Sequence, residues 1–146
     1  MSGRSDILDG LIEVLLHIKQ SDGYNTTPNK VVRGFIPYEK LHKFPNFMVF
    51  GGNETFEHLM DGVSTRSAFT IKIRGIILDK GDPEGALCDA ISDIIKVLES
   101  TDNPYREEMI VHSVDTDEGW YQLEREGSGY FEVSLDIFYT FNRSTP

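Results

Sequence analysis

Residues 130–141 read YFEVSLDIFYTF. The odd positions, Phe131, Val133, Leu135, Ile137, Tyr139 and Phe141, are all apolar or aromatic, and the even positions include Glu132, Ser134, Asp136 and Thr140. Alternation sustained over this length is the period of an extended chain with one face buried and one face wet. It predicts a long strand of an antiparallel sheet, because strands of a parallel sheet are apolar on both faces. Residues 66–78, RSAFTIKIRGIIL, repeat the pattern, with Phe69, Ile71, Ile73 and Ile77 on one face and Thr70, Lys72 and Arg74 on the other. Gly75 interrupts the apolar face and marks a bulge or a close backbone approach. Were these two strands neighbours, the basic pair Lys72 and Arg74 would oppose the acidic pair Glu132 and Asp136 and help set the register.

Two helices complete the pattern. In residues 5–20, SDILDGLIEVLLHIKQ, the residues Ile7, Leu8, Leu11, Val14, Leu15 and Ile18 recur at steps of three and four, which predicts an amphipathic helix. Ser5 is its expected cap, and Gly23 lies just past its end, where a left-handed residue is favoured. Asp82-Pro83-Glu84 opens the second helix with a cap, a proline at the first position and an early acid. Its apolar stripe is Leu87, Ala90, Ile91, Ile94, Val97 and Leu98, and it is expected to end near Ser100. Short strands are expected at residues 31–36, 47–50 and 108–114, the second stopped by Gly51-Gly52-Asn53. Residues 54–64 read equally as strand or loop, and Trp120 to Glu126 leads toward the terminal strand. The helices do not alternate with every strand, so a doubly wound sheet is excluded. The expectation is a single α+β domain spanning residues 1–146, with a mainly antiparallel sheet and two helices packed on one face.

The chain has 146 residues, 39% of them hydrophobic and 26% charged, a balance that suits one folded core. Its formal charge is −10. Residues 101–132 hold nine acids against Arg106 and Arg125, and so supply −7 of that total. Either this is a solvated acidic face, or it is a surface that must not hold nucleic acid; a phosphate-gripping site needs clustered Lys and Arg instead. No apolar run reaches the ~20 residues of a membrane helix, and the opening MSGRSDILDG is not expected to be a signal peptide. Cys88 is the single cysteine, which rules out a disulfide within the chain and fits a reducing, intracellular origin.

No catalytic signature, cofactor motif or metal-ligand spacing stands out. His17, His42, His58 and His112 are scattered and lack ligand spacing. His17 is accounted for by a position late in the first helix, and Cys88 by a place on or beside the packed stripe of the second. Glu54, Glu57 and Asp61 read as solvated loop carboxylates, and Gly51-Gly52 lacks the continuation of a phosphate loop. Trp120 and Tyr121 are either an interface anchor or a cover for a sheet edge.

The order of segments carries a further signal. The run VVRGFIPYEKLHKFPNFMVFGG, followed by FTIKIRGIILDKGDPEGALCDAISDIIKVL, resembles the tail terminator (tail completion) proteins of long-tailed bacteriophages. Phe44-Pro45, Ile73 to Gly75 and the acidic helix start at Asp82 sit in the order found in that family, and the likeness spans nearly the whole chain. The resemblance implies a structural virion protein and not an enzyme. Such a protein caps the head-proximal end of the tail tube, ends tail growth and offers a head–tail joining surface. It also implies a homohexameric ring, with the tail tube protein and a head-completion or connector protein as partners. DNA would be passing cargo that is not specifically bound, and no membrane, cofactor or metal would be involved. The location would be the virion tail, reached from the host cytoplasm during assembly. Six copies at −10 each would carry about −60, and an acidic bore would let DNA slide. Lys72, Arg74, Glu132 and Asp136 are the candidates for the subunit interface, as an alternative to pairing within one chain; Asp115, Asp117 and Glu118 are the candidates for the lumen. Two rivals remain. One is another head–tail connector or adaptor. The other is a small cellular ligand-binding or enzymatic α+β domain, for which His42, His58 and His112 would be the residues to test.

Overall fold

The computed structural model describes residues 3–37, 40–117 and 127–142. Its elements are helix α1 (Gly3–Leu15), strands β1 (Lys30–Arg33), β2 (Asn46–His58) and β3 (Ser64–Leu78), helix α2 (Pro83–Leu98), and strands β4 (Met109–Asp117) and β5 (Ser128–Asn142). The strands form one sheet in the order β1-β2-β3-β5-β4. The two alternating stretches are indeed neighbours, pairing antiparallel from Ser64 opposite Asn142 to Leu78 opposite Ser128 without a break. Both helices pack on one face. Ile7, Leu11, Leu15, Leu87, Ile94 and Leu98 bury themselves against Phe47, Phe69, Ile71, Ile73, Phe131, Val133 and Leu135. The fold is α+β, as the alternation requires.

One pairing departs from the antiparallel expectation: β1 runs parallel to β2, with Lys30 opposite Asn46 and Arg33 opposite Val49. Parallel neighbours need a crossover that returns the chain to the same end of the sheet. Between the two strands, Leu41 packs against Met48 and Ile76 on the face that the helices leave open. The sheet is therefore mixed, and mostly antiparallel.

The ends of α1 also differ from the pattern. Its hydrogen bonds tighten after Leu15, where His17 N donates to the Val14 carbonyl and Ile18 N to the Leu15 carbonyl, both at 3.1 Å. This three-residue spacing still buries Ile18, so periodicity could not distinguish it from a longer helix. His17 lies past the helix, not within its last turn. At the other end, Ser5 is inside the helix, and its hydroxyl accepts a bond from Arg33 Nη1 at 2.9 Å. Gly23 is left-handed, φ 91°, but it closes a separate three-residue turn, Gln20–Asp22, and not α1. The second helix starts as read: the Asp82 carboxylate accepts from Gly85 N at 2.9 Å, and Pro83 follows. It ends at Leu98, and Cys88 is exposed. Asp93, also on α2, is buried and accepts bonds from Asn25 N (2.9 Å) and Thr26 N (2.8 Å), which ties the loop after α1 to α2.

Gly51-Gly52-Asn53 does not stop β2, which runs thirteen residues through it. One extra residue is accommodated between Gly51 and Glu54. Such a bulge suits glycine, and it swaps the two faces beyond it. Gly75 is instead the close approach: pairing continues through it on both sides, and a Cβ built there would fall inside the Phe131 ring. No helix of the described residues is long and apolar enough to cross a membrane. Replacing Gly75 with Ala should lower stability by about 1–3 kcal/mol, read as an earlier midpoint in urea unfolding. An unchanged midpoint would mean that the Phe131 ring moves aside freely.

Candidate assembly surface

Fifteen-residue strands extend about 50 Å, whereas helices of thirteen and sixteen residues cover about 20–24 Å. The helices therefore cannot cover the whole of the β2-β3-β5 ladder. The uncovered end is the β2–β3 hairpin, whose turn is closed by Asp61 accepting from Val63 N (2.9 Å) and Ser64 N (2.8 Å). Phe56, Met60 and Val63 stand exposed there, Met60 completely. Phe56 packs edge-on against Phe141, with ring centroids 6.2 Å apart.

At the root of this arm the interior turns polar. The bulge carries Glu54 to the helix side of the sheet, opposite Phe69. Its side chain is only 5% exposed and lies 3.4 Å from Arg4 Nε, and it accepts hydrogen bonds from the Ser67 and Tyr139 hydroxyls. Burial, then the bond to Glu54, pushes the Tyr139 phenol up. Arg4 also stacks over Phe69 at 4.7 Å and donates to the Gly52 carbonyl. This cluster staples the first turn of α1 to the arm. Glu54 is thus not a solvated loop carboxylate, and it forms no acid pair with Asp61, which caps the turn, or with the exposed Glu57. The only sequence signal for it was the Gly51-Gly52 bulge, whose phase a pattern alone does not fix.

The face without helices holds the charged residues singled out above. Lys72 Nζ and Arg74 Nη2 each lie 3.0 Å from a different oxygen of Glu132. Tyr130 donates to the same carboxylate at 2.9 Å. The Arg74 guanidinium sits among three rings, 4.7 Å from Phe35, 5.1 Å from Phe50 and 4.9 Å from Tyr130. Its Nε is buried without a hydrogen-bond partner among the described residues, so the ring faces replace water around the cation. Asp136 stands apart from this group. It accepts from the Thr70 hydroxyl at 2.7 Å and lies 3.3 Å from His112 Nε2. His112 is the extra residue of a second bulge, in β4 between Val111 and Ser113. The four residues read from the sequence thus pair within one chain, in two clusters.

Burial pushes the Glu132 carboxyl up, but the hydrogen bonds from Lys72, Arg74 and Tyr130 outweigh it and hold the group below its ordinary 4.5. Burial, then the bond to Glu132, pushes Tyr130 up to about 12.

Of the proposed lumen residues, Asp115 is exposed on β4 opposite Glu132, and the backbone of Asp117 pairs with Tyr130. Glu118, Trp120 and Tyr121 lie outside the described residues. The histidines do not converge. His42 lines a basic depression, His58 Nδ1 is 3.2 Å from the Thr65 hydroxyl, and His112 meets Asp136. A groove of about 440 Å³ lies between the start of α1, Tyr105 and the end of β5, with Asp6 and Glu108 on its walls and none of these histidines. Among the described residues no group of three His, Cys, Asp or Glu could hold a metal ion.

No family model matches the chain, and no curated protein is significantly similar to it. Among solved structures, it overlaps a chain of an extracellular contractile injection system, the PVC sheath/tube terminator in the extended state, from cryo-EM. The identity is 10% and the TM-score 0.36. The overlap covers 96% of this chain and 58% of that one, so this chain spans less than two thirds of its length. A TM-score this low does not establish a shared fold.

Glu132 supplies a direct test of the open face. A carboxyl held low in the folded state adds stability above its unfolded value, and that stability is lost as pH falls through the folded one. Glu132→Gln should cost about 1–3 kcal/mol at pH 7, and the gap to the wild type should shrink below pH 4.5. A gap that stays constant from pH 7 to pH 3 in urea titrations would show that the carboxylate is not held by its cations.

Proposed function

We propose that this protein is a structural component of a tail-like particle, a ring-forming cap that seats on the end of the tail tube, ends its growth and presents the surface for head–tail joining. It acts by contact and not by chemistry. The reading starts from the order of segments that resembles tail terminator proteins. The observation that carries it is the β2–β3 arm, which extends past the helices with Phe56, Met60 and Val63 exposed at its end. An isolated domain gains nothing from an apolar tip held out into water, and exposed apolar patches of this kind mark interaction sites. The staple of Arg4, Glu54, Ser67 and Tyr139 at its root suits an arm that must keep its direction while docking. Lys72 and Arg74 on the open face are held in internal pairs, so these two cations would not grip passing DNA. The virion tail, assembled in the host cytoplasm, is the corresponding location.

The triple variant Phe56→Ser, Met60→Ser, Val63→Ser should keep the wild-type unfolding free energy within about 1 kcal/mol, because these side chains are already exposed. It should fail to co-sediment with tubes assembled from the tube protein of the same particle, whereas the wild type does. Undiminished binding by the triple variant would remove the arm from the docking surface.

A further inference from the structure

Among the described residues the sheet ends in two unpaired edges, β1 on one side and β4 on the other, and they carry opposite charge. Beside β1, the exposed Lys30, Lys40, His42 and Lys43 surround a depression of about 160 Å³ with Leu41 at its floor. None of the three lysines has an ion-pair partner among the described residues. The β4 edge presents the complement: Glu108 just before the strand and Asp115 within it are exposed and unpaired among the described residues. Ile110 (57% exposed) and Val114 (40%) lie between them. Among the described residues the two edges thus carry unpaired charge of opposite sign. The bulge at His112 breaks the regular ladder of β4, which blunts open-ended strand pairing.

We propose that the β1 edge of one copy docks on the β4 edge of a second copy, with Lys30, Lys40 and Lys43 against Glu108 and Asp115 of the neighbour. This rests on the ring-forming reading above and names the surface that builds the ring. The two edges differ, so the contact is heterologous and repeats head to tail, the arrangement that closes into a ring when the rotation between copies is a whole fraction of a turn. Like edges repel, which excludes the two-fold dimer that would compete with it. The pairing engages only exposed residues that the monomer does not use, so the ion pairs of Lys72, Arg74 and Glu132 stay intact inside each copy.

Two variants test it. One carries Lys30→Glu, Lys40→Glu and Lys43→Glu, and so has two acidic edges; the other carries Glu108→Lys and Asp115→Lys, and so has two basic edges. Circular dichroism and thermal unfolding check that each is folded. In sedimentation velocity, self-association of either variant alone should fall at least about 100-fold against wild type. An equimolar mixture should recover wild-type assemblies, because the copies can then alternate. Carbodiimide treatment of wild type, which joins amines to carboxylates in contact, should link Lys30, Lys40 or Lys43 of one copy to Glu108 or Asp115 of another. Unchanged self-association of both variants, no recovery on mixing, or a wild type that stays monomeric without such links would overturn the proposal. Rings that cap tubes although both variants still associate would leave the tail-cap reading standing without this interface. Mixed rings that ignore tube ends would do the opposite.

Discussion

Two fifteen-residue strands paired along their full length outrun the helices that cover them, and most of the molecule's features follow from that mismatch. Where α1 and α2 lie, the sheet buries one continuous apolar face against them. Beyond them the interior must be polar or exposed. The chain does both: Glu54, Ser67, Tyr139 and Arg4 fill the root of the arm, and Phe56, Met60 and Val63 stand out at its end. An arm of this kind is unhelpful to a monomer and useful to a part of an assembly.

The second consequence concerns the uncovered face. A sheet face without a layer over it exposes its side chains, yet Glu132 is only 9% exposed. Its cover is made by its own neighbours, Lys72, Arg74 and Tyr130, and Arg74 in turn is covered by Phe35, Phe50 and Tyr130. The charges of Lys72, Arg74 and Glu132 are thus already spent within the monomer. What remains for a partner is at the edges, where lysines on one side and carboxylates on the other have no partner among the described residues.

Strand period made β3 and β5 legible, because strict alternation with branched and aromatic residues has one reading. Asp82-Pro83 made the start of α2 legible for an equally local reason. What escaped depended on phase or on distance. A bulge at Gly51-Gly52 reads like a stop in one dimension, although it lets β2 continue with its faces exchanged, and so Glu54 passed for a loop acid. The parallel β1 was hidden because the four residues of a strand do not encode the direction of its pairing. The end of α1 was hidden because Ile18 is buried in either helix form. Among the site residues, the pairing of Lys72 and Arg74 with Glu132 was legible from alternation, whereas the partner of Asp136 was not, since His112 reaches it only through a bulge in β4.

The account holds that this chain works by fitting copies of itself onto the end of a tube. The most direct measurement is electron microscopy of tubes grown from their tube protein with and without this protein. The account predicts one ring at a single end of each tube and no further lengthening once it is seated. Tubes that lengthen unchecked, or that carry the protein along their sides instead of at an end, would contradict it.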